Sequence, residues 1–81
     1  MSNWQSDALV TEEFPHWAKP ATLDVDPRGG IVQLERQNAD GNWEVFEVFD
    51  ATGAYKIEVV NSAAMRIAPS SGAMFRWTWN G

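Results

Sequence analysis

The sequence predicts an all-β chain: a small antiparallel β-sandwich or partly open barrel of about seven short strands, with an extended N-terminal arm. Three observations carry this expectation. From residue 30 onward, runs rich in β-branched and aromatic residues alternate with Gly, Asn, Asp, Ser and Pro turn signals almost without interruption. Within those runs apolar residues recur at every second position, the period of a half-buried strand, and no helical period competes with it. Residues 1–20 differ from the rest, because Pro15 and Pro20 bracket His16 and Trp17 and proline cannot donate to a ladder. The chain therefore divides into an arm, residues 1–20, and a β-sandwich domain, residues 21–81.

In the arm, Asp7-Ala8-Leu9-Val10-Thr11 reads as a short strand. Trp4, Phe14 and Trp17 either fold back as a lid on the sandwich or anchor the arm to a neighbouring chain, and both readings stay open. Ala21-Thr22-Leu23-Asp24-Val25 alternates small or polar with apolar residues and reads as a strand, followed by the turn Asp26-Pro27-Arg28-Gly29-Gly30. Residues 31–37 form the next strand, with Val32, Leu34 and Arg36 on one face and Ile31, Gln33 and Glu35 on the other. Asp40-Gly41 signals a hairpin, because Gly accepts positive φ at low cost.

The alternation falters in Trp43–Phe49. Trp43, Val45 and Phe49 share a face with Glu47, while Phe46 and Val48 share the other with Glu44. A bulge would realign these faces; so would burial on both sides, which in so small a domain would imply a partner. Residues 55–60 follow, with Tyr55, Ile57 and Val59 facing one way. Asn61-Ser62 turns the chain into Met65–Ala68, and Pro69-Ser70-Ser71-Gly72 is expected to close another hairpin. The final strand, residues 74–79, places Phe75, Trp77 and Trp79 on one face, the most apolar stripe in the chain.

A chain of 81 residues is expected to form one domain, and a domain near this size buries only about 60–65% of its unfolded surface. It has no Cys, so neither a disulfide nor a thiolate zinc site staples it. Five Trp and four Phe are a heavy aromatic load for this length, and part of it suits an interface. A net charge of −5 with a pI near 4.5 argues against nucleic acid and against an anionic membrane surface. No basic and apolar secretory leader is legible at Met1-Ser2-Asn3-Trp4-Gln5. No apolar run approaches the roughly 20 residues of a spanning helix. The expectation is a protein made in a cytoplasm, with no cofactor, no nucleic-acid partner and no membrane partner.

Little in the sequence points to catalysis. His16 is the sole histidine, and no Ser or Cys stands in a nucleophile elbow near it, so it reads as a surface or packing residue. Asp24 and Asp26 flank Val25 on one strand face and offer the beginning of a hard-cation site; edge-strand charge is the plainer reading, for them and for Glu12-Glu13. Trp43, Trp77 and Trp79 invite comparison with a sugar-stacking platform, with Asn42, Asn80, Arg76 and Glu44 at its rim, although a stripe of this kind is more often core. Arg28-Gly29-Gly30 lacks the spacing and following helix of a phosphate loop. No catalytic, cofactor or metal residue is assigned. The residues expected to bind a partner are Trp4, Phe14, His16 and Trp17.

The stretch Val32-Gln33-Leu34-Glu35-Arg36 leading through Asp40-Gly41-Asn42-Trp43 resembles a pattern of small tailed-bacteriophage structural proteins, in which a V-x-L-x-R strand enters a D-G-x-W hairpin. Gly53-Ala54-Tyr55 and Gly72-Ala73-Met74-Phe75-Arg76-Trp77 stand where those proteins carry a G-x-Y and a late aromatic strand. The resemblance covers residues 30–79. Where family members often read D-G-G, this chain has Asp40-Gly41-Asn42, and the arm has no counterpart. The resemblance implies a non-enzymatic virion component, most simply a capsid decoration or cement protein that binds the major capsid protein or other virion proteins across capsomers, as a homotrimer. A head–tail or tail component follows in order, and the alternative class is a carbohydrate- or receptor-binding β-module.

Overall fold

Alternating burial builds the structure. Along β2 (Ala21–Asp26), Ala21, Leu23 and Val25 are buried while the residues between them are exposed or half-exposed. β3 (Val32–Gln37) buries Val32 and Leu34, and β6 (Met65–Pro69) buries Met65 and Ile67. β7 (Met74–Thr78) buries Phe75 completely. A computed structural model describes residues 4–79. Among them seven strands, also including β1 (Leu9–Val10), β4 (Trp43–Phe49) and β5 (Gly53–Ile57), form two antiparallel sheets with no helix. One sheet has the order β1-β6-β3-β4 and the other β5-β2-β7. They face each other as an open sandwich around a core of Leu23, Val25, Val32, Leu34, Val59, Met65, Ile67 and Phe75, and they do not close into a barrel.

β3 and β4 form a true hairpin, and its loop is built by side chains. Gly41 takes φ +85°. Asn38 Oδ1 accepts the N–H groups of both Asp40 (2.9 Å) and Asn42 (3.0 Å), and Gln37 Nε2 donates to the Gly41 carbonyl (2.9 Å). The expected bulge is present in β4. Leu34 pairs with Glu47 but Glu35 pairs with Val45, so Phe46 is the extra residue. Arg36, expected on the buried face, is exposed and lies with its guanidinium 4.4 Å over the Phe46 ring.

Two expectations are corrected. Pro69–Gly72 does not close a hairpin, because β6 and β7 belong to different sheets. It is a corner, turned by Ser71 (φ 53°) and Gly72 (φ 83°) and held by Ala73 N–H to the Ser70 carbonyl at 3.0 Å. The turn at Asp26–Gly30 is likewise a corner between sheets, with Arg28 and Gly29 at positive φ. β5 starts earlier and ends at Ile57, because beyond it the chain leaves the sheet to meet the arm; Val59 stays fully buried on the way. Asn80 lies outside the described residues.

The two corners clasp each other. Ser70 N–H donates to the Ile31 carbonyl at 2.9 Å, and a Cβ on Gly30 would stand 2.0 Å from the Ser70 carbonyl oxygen. That neighbour is backbone, so it cannot turn aside. Gly30→Ala should destabilise the fold by about 1–3 kcal/mol through forced backbone movement, measured by denaturant unfolding; an unchanged midpoint would show that the corners are not in contact.

Candidate functional site

The arm is folded onto the sandwich and is not a free extension. Gln5 exchanges two backbone hydrogen bonds with Phe75 on β7, at 2.8 and 3.0 Å. Leu9 and Val10 then pair with Ile67 and Arg66 of β6, in the other sheet. Thr11 continues the attachment, its N–H donating to the Met65 carbonyl (2.8 Å) and its Oγ1 accepting the Met65 N–H (2.9 Å). Farther on, Phe14 N–H donates to the Ser62 carbonyl and Asn61 N–H to that of Pro15. The arm therefore spans the side of the sandwich between β7 and β6.

Between the arm and β7 lies a groove of about 440 Å³. Its apolar lining includes Leu9, Phe14, Pro15, Trp17, Trp77 and Trp79, and Glu12 and Glu13 also line it. Phe14 is buried and stands edge-on to Trp79, with ring centroids 5.0 Å apart and planes at 89°, and tilted against Trp77 at 6.4 Å. Trp79 Nε1–H donates to the Lys19 carbonyl at 2.9 Å, which fixes the indole's orientation. Trp17 is 60% exposed.

Of the four residues expected to bind a partner, the groove unites Phe14 and Trp17. Phe14 is core, so its ring is not offered at the surface while the arm is in place. Trp4 is outside the groove lining, beside Arg76 at 5.1 Å, and His16 is exposed outside it as well. The sugar-platform trio is not assembled. Trp77 and Trp79 share the groove, whereas Trp43 belongs to β4 in the other sheet, at the edge farthest from the arm. Trp17, read from sequence as a partner-binding residue or part of a lid on the sandwich, takes its place beside them; the sequence did not say which strand it would meet. Asp24 and Asp26, weighed as a cation site, are each held by an arginine: Arg76 Nε at 2.9 Å and Arg28 Nε at 3.0 Å.

A second surface lies across the molecule. β4 is the open edge of its sheet, and burial on both of its sides does not occur. Val45, Phe46 and Val48 are 48%, 42% and 50% exposed. Val45 and Val48 pair with Glu35 and Gln33, which places them on the outer sheet face. At the centre of that face Glu35 is buried, held by Arg66 through Nε at 2.9 Å and through a second guanidinium nitrogen, and Trp43 lies 5.2 Å from the same guanidinium.

The chain matches no protein-family model, no curated protein and no solved structure.

Two mutational outcomes follow from these environments. Phe14→Ala should cost about 3–5 kcal/mol as a core truncation, while Trp17→Ala should stay within about 0.5 kcal/mol as a surface change; thermal unfolding of both reads the contrast. Arg66→Met should cost about 1–3 kcal/mol by stranding the Glu35 carboxylate, less than a fully buried pair because Arg66 is 35% exposed. The double variant Glu35→Leu/Arg66→Met should regain most of that loss, and a double variant as unstable as the single one would refute the ion-pair account.

Proposed function

We propose that this chain is a non-enzymatic virion structural protein of the tailed-phage type, a capsid decoration or cement protein that stabilises the head by binding across capsomers. The observation that carries the reading is the β4 flank. An acidic domain of 81 residues leaves Val45, Phe46 and Val48 about half exposed on one edge strand. Large apolar side chains gathered at one place on a small domain mark an interaction surface. The V-x-L-x-R and D-G-x-W pattern supplies the class of partner.

The flank favours docking by its face over addition of a strand. Glu44, Glu47 and the bulge at Phe46 interrupt the edge, and charges and bulges are devices that discourage edge pairing. The outer face is the better contact: Val10, Val45 and Val48 surround the Arg66–Glu35 pair, which is already satisfied and brings no unpaired charge into an interface. Burying this face against the capsid, or against a second and third copy around a symmetry axis, joins neighbours without chemistry. Strength then depends on apolar area and shape.

The carbohydrate-binding alternative has less to stand on, because Trp43 is separated from Trp77 and Trp79. The first measurement is mass by light scattering over a dilution series, where a trimer near three times 9.1 kDa is expected. Co-sedimentation with heads of the phage encoding the chain then tests decoration directly. Val48→Glu should weaken head binding about tenfold or more, since a desolvated carboxylate costs at least 1.4 kcal/mol. A wild-type chain that never sediments with heads overturns the decoration reading.

A further inference from the structure

The groove under the arm repeats the materials with which this chain holds its own guanidinium groups. Arg76 donates through Nε to Asp24 at 2.9 Å and lies 5.1 Å from the centre of the Trp4 ring. Arg66 donates to Glu35 and lies 5.2 Å from Trp43. In both, a carboxylate meets the charge and an indole covers the flat cation. The guanidinium suits this pairing because it is planar, weakly hydrated and able to stack while it donates. The groove brings the same two groups together a third time: Trp17, Trp77 and Trp79 with Glu12 and Glu13.

Among the described residues, the five arginine and lysine side chains other than Lys19 are engaged elsewhere. Arg28, Lys56, Arg66 and Arg76 pair with Asp26, Glu58, Glu35 and Asp24, and Arg36 lies over Phe46. Lys19 is exposed and contributes its carbonyl to Trp79. Among the described residues, neither Glu12 nor Glu13 forms an ion pair. No lysine or arginine lines the groove, so its charge and shape suit a cation that arrives from outside. The indole lining selects one that can stack, and a volume of about 440 Å³ falls within the roughly 300–1,000 Å³ of small-ligand sites.

We infer that the groove receives an arginine side chain presented by a partner protein, with Glu12 and Glu13 meeting the guanidinium charge and the tryptophans covering its face. Glycan is the weaker occupant. Phe14 stands edge-on to Trp79 and breaks up a flat stacking platform, and a neutral sugar would leave the charge of two carboxylates unneutralised. The inference does not depend on the capsid role, and the groove lies at the edge of the molecule opposite the β4 flank.

The test is a titration of the full chain with a short Gly/Ser peptide carrying one arginine, and with its citrulline twin, which has the same shape without the charge. Indole N–H resonances resolve the tryptophans. The arginine peptide should shift the signals of Trp17, Trp77 and Trp79 and bind about tenfold more tightly than the citrulline peptide, weakening as salt is raised. The Glu12→Gln/Glu13→Gln variant and Trp17→Ala should each lose most of that preference with unchanged melting, because all three residues are exposed. Trp4→Ala should retain it. Equal binding of the two peptides, undiminished binding to the glutamine variant, no binding of the arginine peptide into the millimolar range, or tighter binding of a neutral oligosaccharide would each overturn the inference. None of these results bears on sedimentation with phage heads, so the two readings fail separately.

Discussion

The N-terminal arm crosses from β7 in one sheet to β6 in the other, and this crossing covers a side where the two layers would stand open. Gln5 joins the ladder of β7 through Phe75, Leu9 and Val10 join that of β6, and Phe14 and Ala18 enter the core between them. A domain of 81 residues without cysteine has little apolar volume in reserve. Its remaining core is mostly aliphatic, with Phe75 and Phe49 as the other buried aromatics. Phe14 thus supplies a large share of the ring-sized bulk, and Trp77 and Trp79 depend on it for their packing. The arm is thus paired and packed into the sandwich.

The opposite flank is built on other terms. β4 has a partner on one side only, and the bulge at Phe46 re-aims its side chains so that Val45 and Val48 share the outer face while Phe49 turns into the core. Without the extra residue, one of these sets would point the wrong way, because strand faces alternate strictly with period two. The bulge therefore decides that this strand contributes Phe49 to the interior and leaves a row of apolar side chains outside. Glu44 and Glu47 beside them keep the edge soluble and resist unwanted strand pairing.

Arginine and aromatic residues are linked throughout the molecule. Arg36 with Phe46, Arg66 with Trp43 and Arg76 with Trp4 place a guanidinium by a ring, and for Arg66 and Arg76 a carboxylate completes the arrangement. These pairs explain how exposed and half-exposed rings are tolerated on an acidic surface. The cation screens the ring from water on one face, and the ring limits the hydration of the cation. The groove applies the same chemistry at a place where the chain's own arginines do not reach.

Much of this was legible in the residues. Strand positions other than the bounds of β5, the separate character of residues 1–20, the Asp40-Gly41 hairpin and the irregularity of Trp43–Phe49 follow from local rules: period-two burial, proline's missing donor and glycine's access to positive φ. The aromatic stripe Phe75–Trp77–Trp79 was equally plain as a face. The candidate site was only half visible, since Phe14 and Trp17 stood out as arm aromatics but their meeting with Trp77 and Trp79 did not. Period-two alternation says which face of a strand is apolar and says nothing of which strand lies beside it. Tertiary structure decided that β6 and β7 join different sheets, that Pro69–Gly72 is a corner and no hairpin, and that Trp43 lies in a different sheet from Trp77. It also decided that Glu12 and Glu13 line an aromatic groove. Each of these outcomes rests on contacts between residues far apart in the chain, and such contacts form only when the two layers pack and the arm closes over them.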